Sequence, residues 1–90
     1  MVRQWQDLFY EKRYSETVLD DATDYVKIAE AFGAKAYRVS TPAAYKKALT
    51  AALKADGPVL IDCVIDQDDK VWPMVAPGAP ISECFTGDDI

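Results

Sequence analysis

The 90-residue sequence contains no histidine. That removes serine and cysteine triads with an imidazole base, and with them most catalytic zinc sites. Its four glycines, at positions 33, 57, 78 and 87, are too scattered for G-x-G-x-x-G or for a phosphate-binding loop. No nucleotide cradle is encoded locally. Two cysteines, Cys63 and Cys84, are too few for a disulfide framework, and Cys63 lies in an apolar run that suits a small buried thiol. A reducing, cytoplasmic compartment is therefore expected. Basic residues are outnumbered fifteen to ten, for a net charge of −5, so nucleic acid and anionic membrane surfaces are disfavoured as partners. No apolar run approaches the roughly 20 residues needed to cross a bilayer. No basic segment followed by an apolar one marks a secretory signal.

What is present is an ordinary globular composition, 50% hydrophobic and 28% charged. A chain of this size buries about 60–70% of its unfolded surface, so exposed apolar stretches need a reason. The opening "MVRQWQDLFYEKRY" places Met1, Trp5 and Leu8 at i, i+4 and i+7 with Val2 and Phe9 beside them. This predicts a helix that ends before Tyr14, with Arg3 and Asp7 as an exposed i, i+4 pair. In "DDATDYVKIAEAFGAK" Asp21 is expected to cap a second helix whose third position is Asp24, whose buried face is Tyr25, Ile28, Ala29 and Phe32, and which Gly33 closes.

"AKAYRVS" alternates as a short strand, with Tyr37 and Val39 on one side and Arg38 on the other. Thr41-Pro42 then signals a helix start, a capping hydroxyl followed by proline at the first helical position. Tyr45, Ala48, Leu49, Ala52 and Leu53 form its apolar stripe, and Asp56-Gly57-Pro58 stops it. "VLIDCVI" follows as a nearly continuous apolar strand of the kind covered on both faces. The helix between the two strands makes a β-α-β unit, and such strands run parallel. Two parallel strands are not a stable sheet by themselves, so the pattern reads as the end of a larger α/β domain.

Chemistry-bearing clusters are few. Asp66 and Asp68 match the opening of a calcium loop, but its sixth position is Val71 instead of glycine and its twelfth is Pro77 instead of glutamate. A solvated turn after a buried strand is the better reading. No catalytic residue and no metal ligand is assigned, and Gly87-Asp88-Asp89 is left unassigned. A stripe such as Met1, Trp5 and Leu8 is ordinarily core, so pattern alone does not make it a ligand wall.

The segments "MVRQWQDLFYEKRYSET", "DYVKIAEAFGAKAYRV", "DGPVLIDCVID" and "VWPMVAPGAPISE" nevertheless resemble, in order and spacing, the C-terminal part of acetohydroxyacid synthase (acetolactate synthase) catalytic subunits. The resemblance covers essentially the whole chain. It implies an α/β fold in which residues 1–90 are the incomplete C-terminal part of a thiamine-diphosphate-binding domain, ordered α-α-β-α-β with two parallel strands and an irregular tail over 71–90. It further implies that Met1, Val2 and Trp5 line the substrate channel, Trp5 shaping the pocket for the second 2-keto acid. Trp72, Pro73, Met74 and Pro77 would belong to the tail that closes over the active-site entrance.

In that family a two-carbon unit from pyruvate, carried on thiamine diphosphate, is joined to pyruvate or 2-ketobutyrate in branched-chain amino-acid biosynthesis. The motif from Gly-Asp-Gly to Asn-Asn that holds magnesium and the diphosphate is missing from these 90 residues, and the family's FAD contacts other domains. The resemblance thus implies a fragment inactive alone and binding no cofactor itself. Its partners would be the remainder of the catalytic subunit, a second catalytic subunit and possible regulatory subunits, with self-association through its uncovered faces. A related thiamine-diphosphate carboligase or decarboxylase, and an autonomous small α/β interaction module, remain as alternatives.

Overall fold

A computed structural model of the chain describes residues 1–19 and 22–90. They form an α/β arrangement of three α-helices and one two-stranded parallel sheet, in the order α1 (Val2–Phe9), α2 (Tyr25–Ala31), β1 (Lys35–Val39), α3 (Pro42–Leu53) and β2 (Val59–Cys63). Two short 3₁₀ turns follow, Ile81–Glu83 and Gly87–Asp89. The chain divides into two compact units, Met1–Thr17 with Gln67–Ile90, and Val18–Asp66.

The second unit is the β-α-β element expected from the sequence. Lys35 pairs with Val59 and the register runs in parallel to Val39 with Cys63. Thr41 caps α3, its hydroxyl accepting the Ala44 N–H at 3.1 Å, with Pro42 at the first helical position. Helix α2 ends in a two-bond motif in which the Gly33 N–H donates to Glu30 O and the Ala34 N–H to Ala29 O. Gly33 sits at φ +84°, the left-handed conformation that motif requires. Both α2 and α3 pack against both strands.

Several boundaries and faces differ from expectation. Asp21 lies outside the described residues, and the cap of α2 is Asp24, whose carboxylate accepts the Lys27 N–H at 3.1 Å. β2 stops at Cys63, leaving Val64 and Ile65 beyond the sheet and exposed. Cys63 is itself exposed, contrary to the buried thiol expected. Of the predicted α2 face, Ala29 is buried while Tyr25 and Ile28 are exposed and Phe32 is 89% exposed. On α3, Ala48 is buried whereas Tyr45, Leu49 and Leu53 are open. The physical reason is common to these cases: two strands cover one small patch of each helix, where the alanines sit, and the larger apolar side chains reach past it.

The first unit is built on α1. The helix ends at Phe9, five residues before Tyr14, because Glu11 and Lys12 adopt φ +56° and +57° and the Lys12 N–H bonds back to Gln6 O at 3.0 Å. Gln6 then holds the returning chain, its Nε2 donating to Ser15 O and its Oε1 accepting the Thr17 hydroxyl. The irregular tail folds back on itself. Met74 and Phe85 exchange two backbone hydrogen bonds of 2.8 Å as an antiparallel bridge, closing a loop over 75–84. The last turn is fixed by a reciprocal cap, with the Asp88 N–H on Thr86 Oγ1 and Asp89 Oδ2 accepting the Thr86 N–H. The Thr86 N–H and then the Thr86 hydroxyl, both donating to Asp89 Oδ2, hold the Asp89 carboxyl below its usual range.

Candidate functional site

Helix α1 presents two unlike faces. Met1 and Trp5 stand one turn apart at i and i+4, with Val2 beside them, so the three share a side. That side is open: Met1 and Val2 are each 66% exposed and Trp5 40%. A tryptophan at this exposure next to two bare aliphatic side chains is a rigid apolar wall facing outward. From Trp5 a series of edge-on aromatic contacts runs to the tail. Trp5 and Phe9 lie 6.3 Å apart at 87°, Phe9 and Phe85 6.4 Å apart at 86°, and Phe85 and Trp72 5.8 Å apart at 62°. All are in the range where aromatic pairs gain from their quadrupoles.

The other face of α1 is polar and holds the segment 68–74. Arg3 Nε meets Asp68 Oδ1 at 2.6 Å, and its guanidinium carbon sits 3.8 Å over the Tyr14 ring. Lys70 Nζ meets Asp7 Oδ2 at 2.7 Å, and Lys12 reaches the same carboxylate at 4.0 Å. The expected Arg3–Asp7 pair is therefore replaced, each charge preferring a partner on the segment after the second unit. The Lys70 hydrogen bond holds the Asp7 carboxyl below its usual range, and the same bond holds Lys70 above the usual lysine value. Between these pairs Gln4 is the buried side chain, 4% exposed. Its Oε1 accepts the Val71 N–H at 2.9 Å, and its Nε2 donates to Val71 O at 3.0 Å and Met74 Sδ at 3.1 Å.

The residues expected at the site thus fall into three groups. Met1, Val2 and Trp5 share the open face of α1. Trp72 is half-buried, its indole against Phe85 and Gly87, and Met74 is buried against Gln4. Pro73 and Pro77 are exposed. Gln4, Arg3 and Asp7, which organise the opposite face, carry no local signal of that role, since their partners lie more than sixty residues away. The one hint in the sequence is an uncharged amide set between charged residues on a helix with a strong apolar side.

No group of three or more acidic or cysteine side chains among the described residues is arranged to hold a metal ion. The recess lined by Met1, Arg3, Gln4, Asp7 and residues 67–70 has a volume of about 30 Å³, which suits one water and not a diphosphate. In the second unit Arg38 lines a larger depression, but Asp24 at 2.7 Å and Asp62 at 3.1 Å already engage its guanidinium. No chemical step is assigned to these side chains. No described helix is long and apolar enough to cross a membrane.

The chain thus holds a parallel β-α-β unit joined in sequence to an aromatic helix and a folded tail. Over residues 1–63 it matches the family described as thiamine pyrophosphate enzyme, C-terminal TPP binding domain, and it belongs to that family. Its similarity is to acetolactate synthases in particular. It is 46% identical over 83 residues to the acetolactate synthase isozyme 2 large subunit of Escherichia coli (strain K12), covering 92% of this chain and 15% of that protein. It is 46% identical over 79 residues to the acetolactate synthase large subunit of Pyropia yezoensis, covering 87% of this chain and 13% of that protein. With the acetolactate synthase catalytic subunit, mitochondrial, of Aspergillus candidus it shares 41% over 83 residues, 92% of this chain and 12% of that protein. The chain therefore spans 12–15% of the length of these relatives.

Proposed function

We propose that this chain is a C-terminal segment of an acetolactate synthase catalytic subunit and that it lines the channel through which the second 2-keto acid reaches the cofactor. The observation that carries the reading is the open wall of Met1, Val2 and Trp5 on α1 in a chain so similar to named acetolactate synthases. A rigid indole can sort an ethyl from a methyl substituent, since one methylene in an apolar pocket is worth roughly 1–3 kcal/mol. The segment supplies shielding and substrate preference, while thiamine diphosphate, bound elsewhere in the enzyme with magnesium, supplies the carbon–carbon bond chemistry. FAD, a second catalytic subunit and a regulatory subunit belong to the same proposal, as does a cytoplasmic setting. The tail around Trp72, Pro73, Met74 and Pro77 covers the channel entrance.

The test is an assay of pyruvate with thiamine diphosphate and magnesium. The complete subunit carrying this segment is expected to form acetolactate, and the 90-residue chain alone to form none. Release of free aldehyde without acetolactate from the complete subunit would favour a related decarboxylase instead. Acetolactate from the purified 90 residues would overturn the placement of the cofactor site elsewhere. The bare apolar side chains of Phe32, Leu53 and Ile65 further imply that the isolated chain self-associates, which sedimentation velocity reads directly.

A further inference from the structure

We propose that Gln4 is a positioning residue whose side-chain amide fastens the Val71–Met74 backbone to α1, so that Trp5 and the tail are placed as one body. The proposal rests on the reading of Trp5 as a channel wall and deepens it by naming what fixes that wall.

The amide of Gln4 is used completely. Oε1 takes the Val71 N–H, one Nε2 proton goes to Val71 O and the other to Met74 Sδ. Accepting from and donating to the same backbone residue copies the pairing between neighbouring strands, with a side chain standing in for the second strand. Gln4 is 4% exposed while Val71 is 60% exposed, so losing the amide turns the Val71 N–H and carbonyl over to solvent, where the N–H exchanges. Arg3 on Asp68 and Lys70 on Asp7 flank the amide, so α1 grips positions 68, 70, 71 and 74 in sequence. Trp5 follows Gln4 in the same helix, and its ring is tied through Phe9 and Phe85 to Trp72. A tail that leaves Gln4 must either drag α1 or strip it, and both move Trp5.

Only a group that both donates and accepts fills this role. Leucine occupies the volume without bonds, and an ionised glutamate accepts the Val71 N–H but turns a second oxygen toward Val71 O. A protonated glutamic acid regains one donor. Amide exchange of the full chain, followed by NMR at the Val71 N–H and compared with wild type at the same pH, separates these cases. Gln4→Leu is expected to exchange roughly tenfold to a hundredfold faster at Val71, with β1 and β2 amides unchanged. Gln4→Glu is expected to exchange faster at neutral pH and to return toward wild type in acid as the carboxyl protonates, a recovery that lost packing does not give. Wild-type exchange in Gln4→Leu, or no acid recovery in Gln4→Glu, would overturn the proposal.

In the complete enzyme, Gln4→Leu should shift the choice between pyruvate and 2-ketobutyrate in the same direction as Trp5→Leu. If Trp5→Leu shifts it and Gln4→Leu does not, the coupling is wrong. If neither shifts it while the exchange results hold, Gln4 still fastens the tail and the reading of Trp5 as a substrate wall is what fails.

Discussion

Replacing Met74 by alanine should loosen the tail and remove one of its contacts with α1, and the size of the effect follows from the structure. Met74 is 6% exposed and sits where the tail folds back, its backbone paired with Phe85 and its thioether against the Gln4 amide. Truncating a buried methionine to alanine costs about 2–5 kcal/mol through lost transfer energy and the cavity left behind. The lower part of that range applies here, because an irregular tail can collapse around the gap and Gln4 Nε2 keeps its bond to Val71 O. At about 2–3 kcal/mol, native-state exchange of the Met74 and Phe85 amides, which bond to each other's carbonyls, should accelerate roughly 30-fold to 150-fold. Met74→Leu conserves volume and should stay within about tenfold of wild type. Exchange in Met74→Ala within threefold of wild type, by contrast, would show that the tail is not held by this side chain, and the packing argument would fail.

Thr41→Ala removes the hydroxyl that accepts the Ala44 N–H and should cost about 1 kcal/mol, read as a lower Tm, whereas Thr41→Ser should restore it. Gly33→Ala meets no neighbour within 4 Å, yet φ +84° makes it destabilising by about 1–2 kcal/mol in a urea titration. Asp24 is held below the usual carboxylate range first by the Lys27 N–H and then by Arg38, so its contribution is present above that range and lost as pH falls through its lowered pKa. In Arg38→Ala the Asp24 titration followed by NMR should move upward yet stay below the ordinary value, because the cap bond remains. Lys70, raised by Asp7, contributes below the ordinary lysine pKa and loses that contribution as pH rises through its own higher value. Asp7→Asn should bring the Lys70 titration down, and an unchanged titration would contradict the pair.

What was legible in the sequence is what local chemistry controls. Thr41-Pro42 sets the start of α3 and Gly33 the end of α2 because a cap hydroxyl, a proline ring and a left-handed glycine act within a few residues. The parallel pairing of β1 with β2 follows from a helix lying between two apolar runs. Periodicity also found the apolar sides of α1, α2 and α3, but it says which side seeks cover and not whether these residues supply it. Tyr25, Phe32 and Leu53 are exposed for that reason. Helix α1 ends ahead of Tyr14 as expected, but its stop at Phe9 is followed by a turn at Glu11 and Lys12 that no local signal marks, with Gln6 bonded to Ser15 and Thr17. Least legible was the polar face of the site: Arg3, Gln4 and Asp7 find Asp68, Val71 and Lys70 only once the tail returns to α1. Met1, Val2 and Trp5 were nominated by resemblance, and the open face they share is a property of the fold.

The most direct measurement of the central claim is the product ratio of the complete subunit proposed to carry this segment, bearing Trp5→Leu and supplied with pyruvate and 2-ketobutyrate together. Removing the indole wall should change the preference between the two second substrates by roughly tenfold or more while acetolactate is still formed, as expected for one methylene sorted by an apolar surface. A ratio identical to wild type would contradict the assignment of the α1 face to the substrate channel.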